Sequence, residues 1–98
     1  TVNQKNITIP ENEIIYAQAD NIYAEVVTAQ GIFLYSNKIS LLEKELNEAY
    51  FYRSNRSYIV NFNYIIGYSK KEIEFSNGQK ALISSSKFKD FKSAYFKL

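Results

Sequence analysis

Residues Phe51 to Asn61 read F-Y-R-S-N-R-S-Y-I-V-N, and few folds accept such a run. Phe51, Tyr52, Tyr58, Ile59 and Val60 are aromatic or β-branched. Such side chains lose χ1 freedom in a helix and pack well on a pleated surface, so these positions read as buried or half-buried strand. Between them Arg53, Ser54, Asn55, Arg56 and Ser57 form a compact polar cluster. Buried polar groups need partners, and an arginine on a rigid edge presents a forked cation suited to phosphate or guanine. A stiff apolar frame carrying such a cluster predicts a recognition loop on a β-rich domain.

The rest of the chain agrees with a β-rich reading. Nine tyrosines and seven phenylalanines accompany one proline and three glycines. The 98 residues suffice for one core, so residues 1–98 are read as a single domain, with no linker, repeat or low-complexity segment. Ile7 and Ile9 suggest a first strand before Pro10. Further strands are predicted over Glu13–Ala19 and Ile22–Thr28, split by the turn-forming pair Asp20-Asn21, and over Ile32–Tyr35. Ser40 to Glu43 has the form of a capping box, and Leu42 and Leu46 lie four apart, which predicts a two-turn helix near Leu41–Asn47. Phe51–Arg53, Ile65-Ile66 and Ile73–Phe75 continue the β pattern. For the Asn77-Gly78 hairpin, a three-residue loop from Asn77 to Gln79 separates apolar from polar faces best. It pairs Phe75 with Ala81 and Ile73 with Ile83, with a left-handed bulge at Gly78 or its neighbour. Phe88, Phe91, Tyr95 and Leu98 recur at helical spacing, predicting a helix over Lys87–Phe96 capped by Ser84, Ser85 or Ser86. The expected class is mainly β (α+β), with eight to ten short antiparallel strands, a short internal helix and a C-terminal helix.

With no histidine and no cysteine, the chain lacks the usual metal ligands, the commonest general base and the commonest thiol nucleophile. Gly31, Gly67 and Gly78 are too scattered for a phosphate-binding loop. Catalysis, a metal and a cofactor are therefore not expected. No apolar run approaches the roughly 18 residues of a membrane span. The lack of cysteine is compatible with the cytoplasm, and Thr1 in place of methionine suggests a piece of a longer protein. Net charge is only +2, but residues 1–48 hold three lysines against seven carboxylates, a balance of −4, and residues 49–98 nine bases against three acids, +6. Charge segregated in this way can steer a polyanion to one side of a small domain, or remix on folding.

The Phe51–Asn61 run resembles the signature of LytTR-type DNA-binding domains, where phenylalanine, arginine and then H-R-S-Y-I-V-N follow in close order. Phe51, Arg53, Arg56, Ser57, Tyr58, Ile59, Val60 and Asn61 match, and Asn55 stands where the family usually has histidine. Ile14, Tyr16, Ala19 and Tyr23 fit the family's I-x-Y-x-x-A-x-x-x-Y pattern, Asn77-Gly78 its late turn and Ile83-Ser84 its closing pair. The resemblance implies an elongated stack of antiparallel sheets whose loops, rather than a recognition helix, enter the major groove. It also implies a bacterial response-regulator output domain in a two-component system. Such a domain regulates transcription in the cytoplasm, follows a receiver, and binds double-stranded DNA at direct repeats as a dimer on DNA.

Three regions are candidate DNA contacts. Asn21 and Tyr23 lie where the family places a first contacting loop, and Asn21 suits an adenine edge or a plain turn. Asn55 and Arg56 form the second, where Arg56 faces either guanine or phosphate, or a structural ion pair, and Arg53 is read as structural support. The third is Ser85 to Lys87. Ser85 occupies a position that is often arginine in the family, and Lys87 is a point cation better suited to phosphate than to bases. The rival reading is a non-catalytic β-rich protein-interaction module presenting a strand edge or tyrosine-rich surface.

Overall fold

The computed structural model describes residues 9–97. Among the described residues eight strands, β1 (Ile14–Asp20), β2 (Tyr23–Thr28), β3 (Gly31–Tyr35), β4 (Phe51–Asn55), β5 (Tyr58–Asn61), β6 (Ile65–Tyr68), β7 (Glu72–Phe75) and β8 (Lys80–Leu82), are joined by two α-helices, α1 (Ile39–Glu45) and α2 (Phe88–Tyr95). All pairings are antiparallel. One sheet has the order β3-β2-β1-β5-β4 and the other β6-β7-β8. The body is elongated, 39 × 23 × 22 Å.

The five-stranded sheet is the middle layer and buries both faces, which explains the nearly continuous apolar run Ile14-Ile15-Tyr16-Ala17 in β1. Ile14, Ala17, Ala24, Val26, Phe51 and Ile59 pack with Ile39 and Leu42 of α1. On the other face Ile15, Tyr16, Val27 and Val60 meet Ile73, Phe75 and Ala81 of the second sheet and Phe91 of α2. A bulge between Ile14 and Tyr16 lets the neighbours Ile15 and Tyr16 join the same cluster, breaking strict alternation. The Tyr16 and Phe75 rings stack at 4.9 Å and bolt the two sheets together. α2 docks through Phe91, which meets Tyr52, Phe62, Tyr68 and Tyr95.

Asn61 is the buried polar hinge of the middle sheet. Its amide donates to Ile14 O at 2.8 Å and accepts from Asn63 N at 2.9 Å, capping the single 3-10 turn that leads to β6.

Three local expectations are corrected. The helix expected near Leu41–Asn47 begins two residues earlier, at Ile39, because Ile39 and Leu42 are its buried pair. Ser40 therefore lies inside it and no capping box forms. No serine side chain caps α2. Ser85–Lys87 instead makes one 3-10 turn, with Lys87 N on Ser84 O at 2.9 Å. In the β7–β8 hairpin the three-residue loop is Ser76–Gly78, and Ile73 faces Ala81 rather than Ile83. Phe75 N donates to Gln79 O at 2.9 Å, and Gly78, at φ 88°, donates to Phe75 O. The expected left-handed bulge is present, and it sets the register: the glycine must be the last loop residue, so the loop sits one position earlier than apolar pairing suggested. The strand expected around Ile7 and Ile9 falls mostly outside the described residues, and Ile9 is not in a strand.

Candidate nucleic-acid interface

The pairings place five connections at one end of the body. Asp20 faces Tyr23 across the β1–β2 turn, Ala24 faces Tyr35 where β3 leaves for α1, and Gln18 faces Tyr58 beside the β4–β5 turn. Backbone hydrogen bonds stitch these turns to those of the second sheet. Ala19 N donates to Ser57 O at 2.8 Å, Ser84 N to Ser54 O at 2.8 Å, and Ile83 N to Lys71 O at 3.0 Å. Ser54 is buried between the layers and donates its hydroxyl to Leu82 O at 2.8 Å. The β1–β2, β4–β5 and β8–α2 turns, which hold every candidate contact residue, are thus neighbours in space.

At the first turn Asn21 takes the left-handed conformation, φ 61°, in a two-residue hairpin loop. Asparagine tolerates that region because its short amide can bond locally. Its side chain is exposed, as are Ile22 at 56% and Tyr23 at 40%. Nothing in the sequence singles out Ile22, because an apolar residue beside a turn reads as the start of a strand. On a groove-facing tip it can meet a thymine methyl group.

The second turn is built by Arg53. That side chain is 17% exposed and its guanidinium reaches back under the turn. Nε donates to Asn55 O at 3.0 Å, Nη2 donates to Arg56 O, and Nη1 pairs with Glu43 of α1 at 2.8 Å. Asn55 is half-buried and its side chain holds the same turn. Oδ1 accepts from Ser57 N at 2.9 Å and Nδ2 reaches Ser84 Oγ at 3.4 Å. Asn55 therefore braces two turns rather than projecting a free amide. Arg56 is exposed, and among the described residues no carboxylate pairs with it, so its guanidinium is available to an acceptor.

In the third turn Ser85 is exposed. Lys87 is half-buried. Its ammonium donates to Arg53 O at 3.0 Å and lies 5.9 Å from the centre of the Tyr52 ring. The same ring's hydroxyl donates to Asp90 at 2.7 Å, and burial together with that bond pushes the Tyr52 phenol well above its ordinary pKa. Lys87 and Asp90 thus clamp the start of α2 onto β4, an arrangement that no local sequence signal announces.

The turns at this end (21–22, 36–38, 56–57, 69–71 and 83–87) carry Lys38, Arg56, Lys70, Lys71 and Lys87, against the exposed Asp20 beside the first of them. The connections at the opposite end (11–13, 29–30, 46–50, 62–64 and 76–79) carry Glu11, Glu13 and Glu48, against the exposed Lys80 beside the last of them. A rigid, cationic, polar-tipped end opposed to an acidic one orients a polyanion.

The model of the LytTr DNA-binding domain family matches residues 4–95. The chain belongs to this family. Among solved structures, this LytTr domain is similar to the LytTr DNA-binding domain of a putative methyl-accepting/DNA response regulator from Bacillus cereus. The TM-score is 0.80 at 22% identity, over 90% of this chain and 85% of that one. No curated protein matches. The expected architecture of antiparallel sheets with two helices is the one observed, and the family is one described by DNA binding rather than by a reaction. No helix among the described residues is long and apolar enough to cross a membrane.

Proposed function

We propose that this LytTr domain, residues 1–98 acting as one unit, binds double-stranded DNA sequence-specifically as the output domain of a bacterial transcription regulator. It works in the cytoplasm, downstream of a receiver in a two-component system, and two copies occupy direct repeats as a dimer on DNA. The stitched end enters the major groove by its turns. Asn21 and Tyr23, with Ile22 between them, form the first contact, and Arg56, braced by Asn55, the second. Ser85 forms the third, with Lys87 holding that turn to β4 and offering its remaining ammonium hydrogens to a phosphate. The observation that carries the reading is the hydrogen-bonded chain from Ala19–Ser57 through Ser54–Ser84, which presents all three turns at the one cationic end.

Selection from a random duplex library, followed by fluorescence anisotropy on the enriched site, tests it. Binding to that site should exceed binding to a scrambled duplex and fall steeply with salt. Arg56→Ala should weaken specific binding by about 1–3 kcal/mol with little change in melting temperature, because an exposed arginine supports no core. If no site is enriched and binding is salt-insensitive, the domain is not a DNA reader.

A further inference from the structure

We infer that the Ser69–Lys71 turn is a fourth DNA-facing element, gripping the sugar–phosphate backbone beside the groove that the Ser85 turn enters. This inference rests on the DNA-binding reading and extends its footprint to a part of the chain outside the three candidate contact loops.

Three observations converge on this turn. The first is position. Lys71 O accepts Ile83 N at 3.0 Å, one residue before Ser84, whose own N–H bonds Ser54 O. The β6–β7 turn is therefore hydrogen-bonded to the third contact loop, as that loop is to the second. The second is rigidity. Ser69 N donates to Glu72 O at 2.8 Å, while Ser69 Oγ accepts from Lys71 N at 3.3 Å and from Glu72 N at 3.2 Å. A turn clamped by its own hydroxyl fixes the backbone from which the two lysines project, so little backbone ordering entropy is lost on binding.

The third is charge. Lys70 and Lys71 are both exposed, and among the described residues neither joins an ion pair. The neighbouring carboxylate, Glu72, is drawn to Lys80 at 3.7 Å instead. Lys87, the cation that the sequence favoured for phosphate, is tied to Arg53 O, which leaves Lys70 and Lys71 as the freer cations on this flank. Lysine is a compact point charge on a flexible stem. It suits phosphate oxygens and carries little base information, so this element adds grip and orientation rather than specificity.

The test is a salt series by fluorescence anisotropy on a duplex obtained by selection, with two lengths compared. One ends at the recognised bases on the Ser85 side, and the other runs a further half-turn beyond them. On the longer duplex, Lys70→Gln/Lys71→Gln should lower the slope of log affinity against log salt by about two, close to one released counterion per lysine. On the shorter duplex the parent should already show the reduced slope, and the double variant should change it no further. Lys70→Arg/Lys71→Arg should keep the parent slope. Lys44→Gln, which removes a charge from the last turn of α1, should leave the slope unchanged. A double variant with the parent's slope on the longer duplex overturns the inference, as does an equal drop per charge in Lys44→Gln, which would signal bulk charge alone. Failure of the parent to select any duplex would instead strike the DNA-binding reading itself.

Discussion

Phe75→Ala is expected to remove about 3–5 kcal/mol of folding stability, the cost typical of emptying a phenylalanine site in a core. A domain of this size has only roughly 5–15 kcal/mol in total, so the variant should be partly unfolded at physiological temperature. The size of the effect follows from what Phe75 joins. Its side chain is fully buried, its ring stacks on Tyr16 of the middle sheet, and beside it lie Ile73, Ile65 and Ala81. The three-stranded sheet has no second face to bury, so losing this ring loosens its attachment as well as leaving a cavity. Ile66→Ala, at a side chain 64% exposed on the same sheet, should change stability by less than about 0.5 kcal/mol. Urea denaturation followed by circular dichroism reads both. Comparable midpoints for the two variants would mean that the sheets are not held together through this contact.

Arg53→Ala should cost both folding and recognition. The guanidinium closes the β4–β5 turn through the carbonyls of Asn55 and Arg56 and ties it to Glu43. Charge-assisted bonds of this kind are worth about 1.5–3 kcal/mol each, but the Glu43 partner is half in solvent and contributes nearer 0–1 kcal/mol. A stability loss of about 2–3 kcal/mol is expected, together with a loss of specific DNA affinity of tenfold or more, measured where the variant remains folded. Recognition suffers because Arg56 and Asn55 are then no longer held on a rigid turn. Glu43→Gln keeps both carbonyl bonds and should alter affinity by less than threefold. Arg53→Lys preserves the charge but not the fork, and should fall between the two. Normal specific affinity in folded Arg53→Ala would show that the turn holds its shape without this side chain.

What was legible in the sequence was local. Runs rich in aromatic and β-branched residues, bounded by turn residues, marked β1, β2, β3 and β7 to within two residues, and helical spacing of Phe88, Phe91 and Tyr95 marked α2. Errors came where a second, competing signal decided the outcome. Burial of Ile39 moved the start of α1 ahead of an attractive capping box, and the left-handed need of Gly78 moved the hairpin register off the best apolar pairing. Side-chain roles were harder still. Arg53 could be read as support because it lies within a strand, but nothing near Lys87 in the chain indicates that its ammonium seeks Arg53 O, 34 residues away.

The sequence by itself determined the β-rich class and the family signature, because periodicity and turn chemistry act between near neighbours. It also determined an uneven charge along the chain. Only the tertiary structure decided that this unevenness becomes an end-to-end polarity. The joins that matter, Ala19 to Ser57, Ser54 to Ser84 and Lys71 to Ile83, are backbone hydrogen bonds between distant segments. Every non-proline residue carries the same backbone donor and acceptor, so no residue type encodes such a pairing, and it is settled by how the two sheets and α2 share one core.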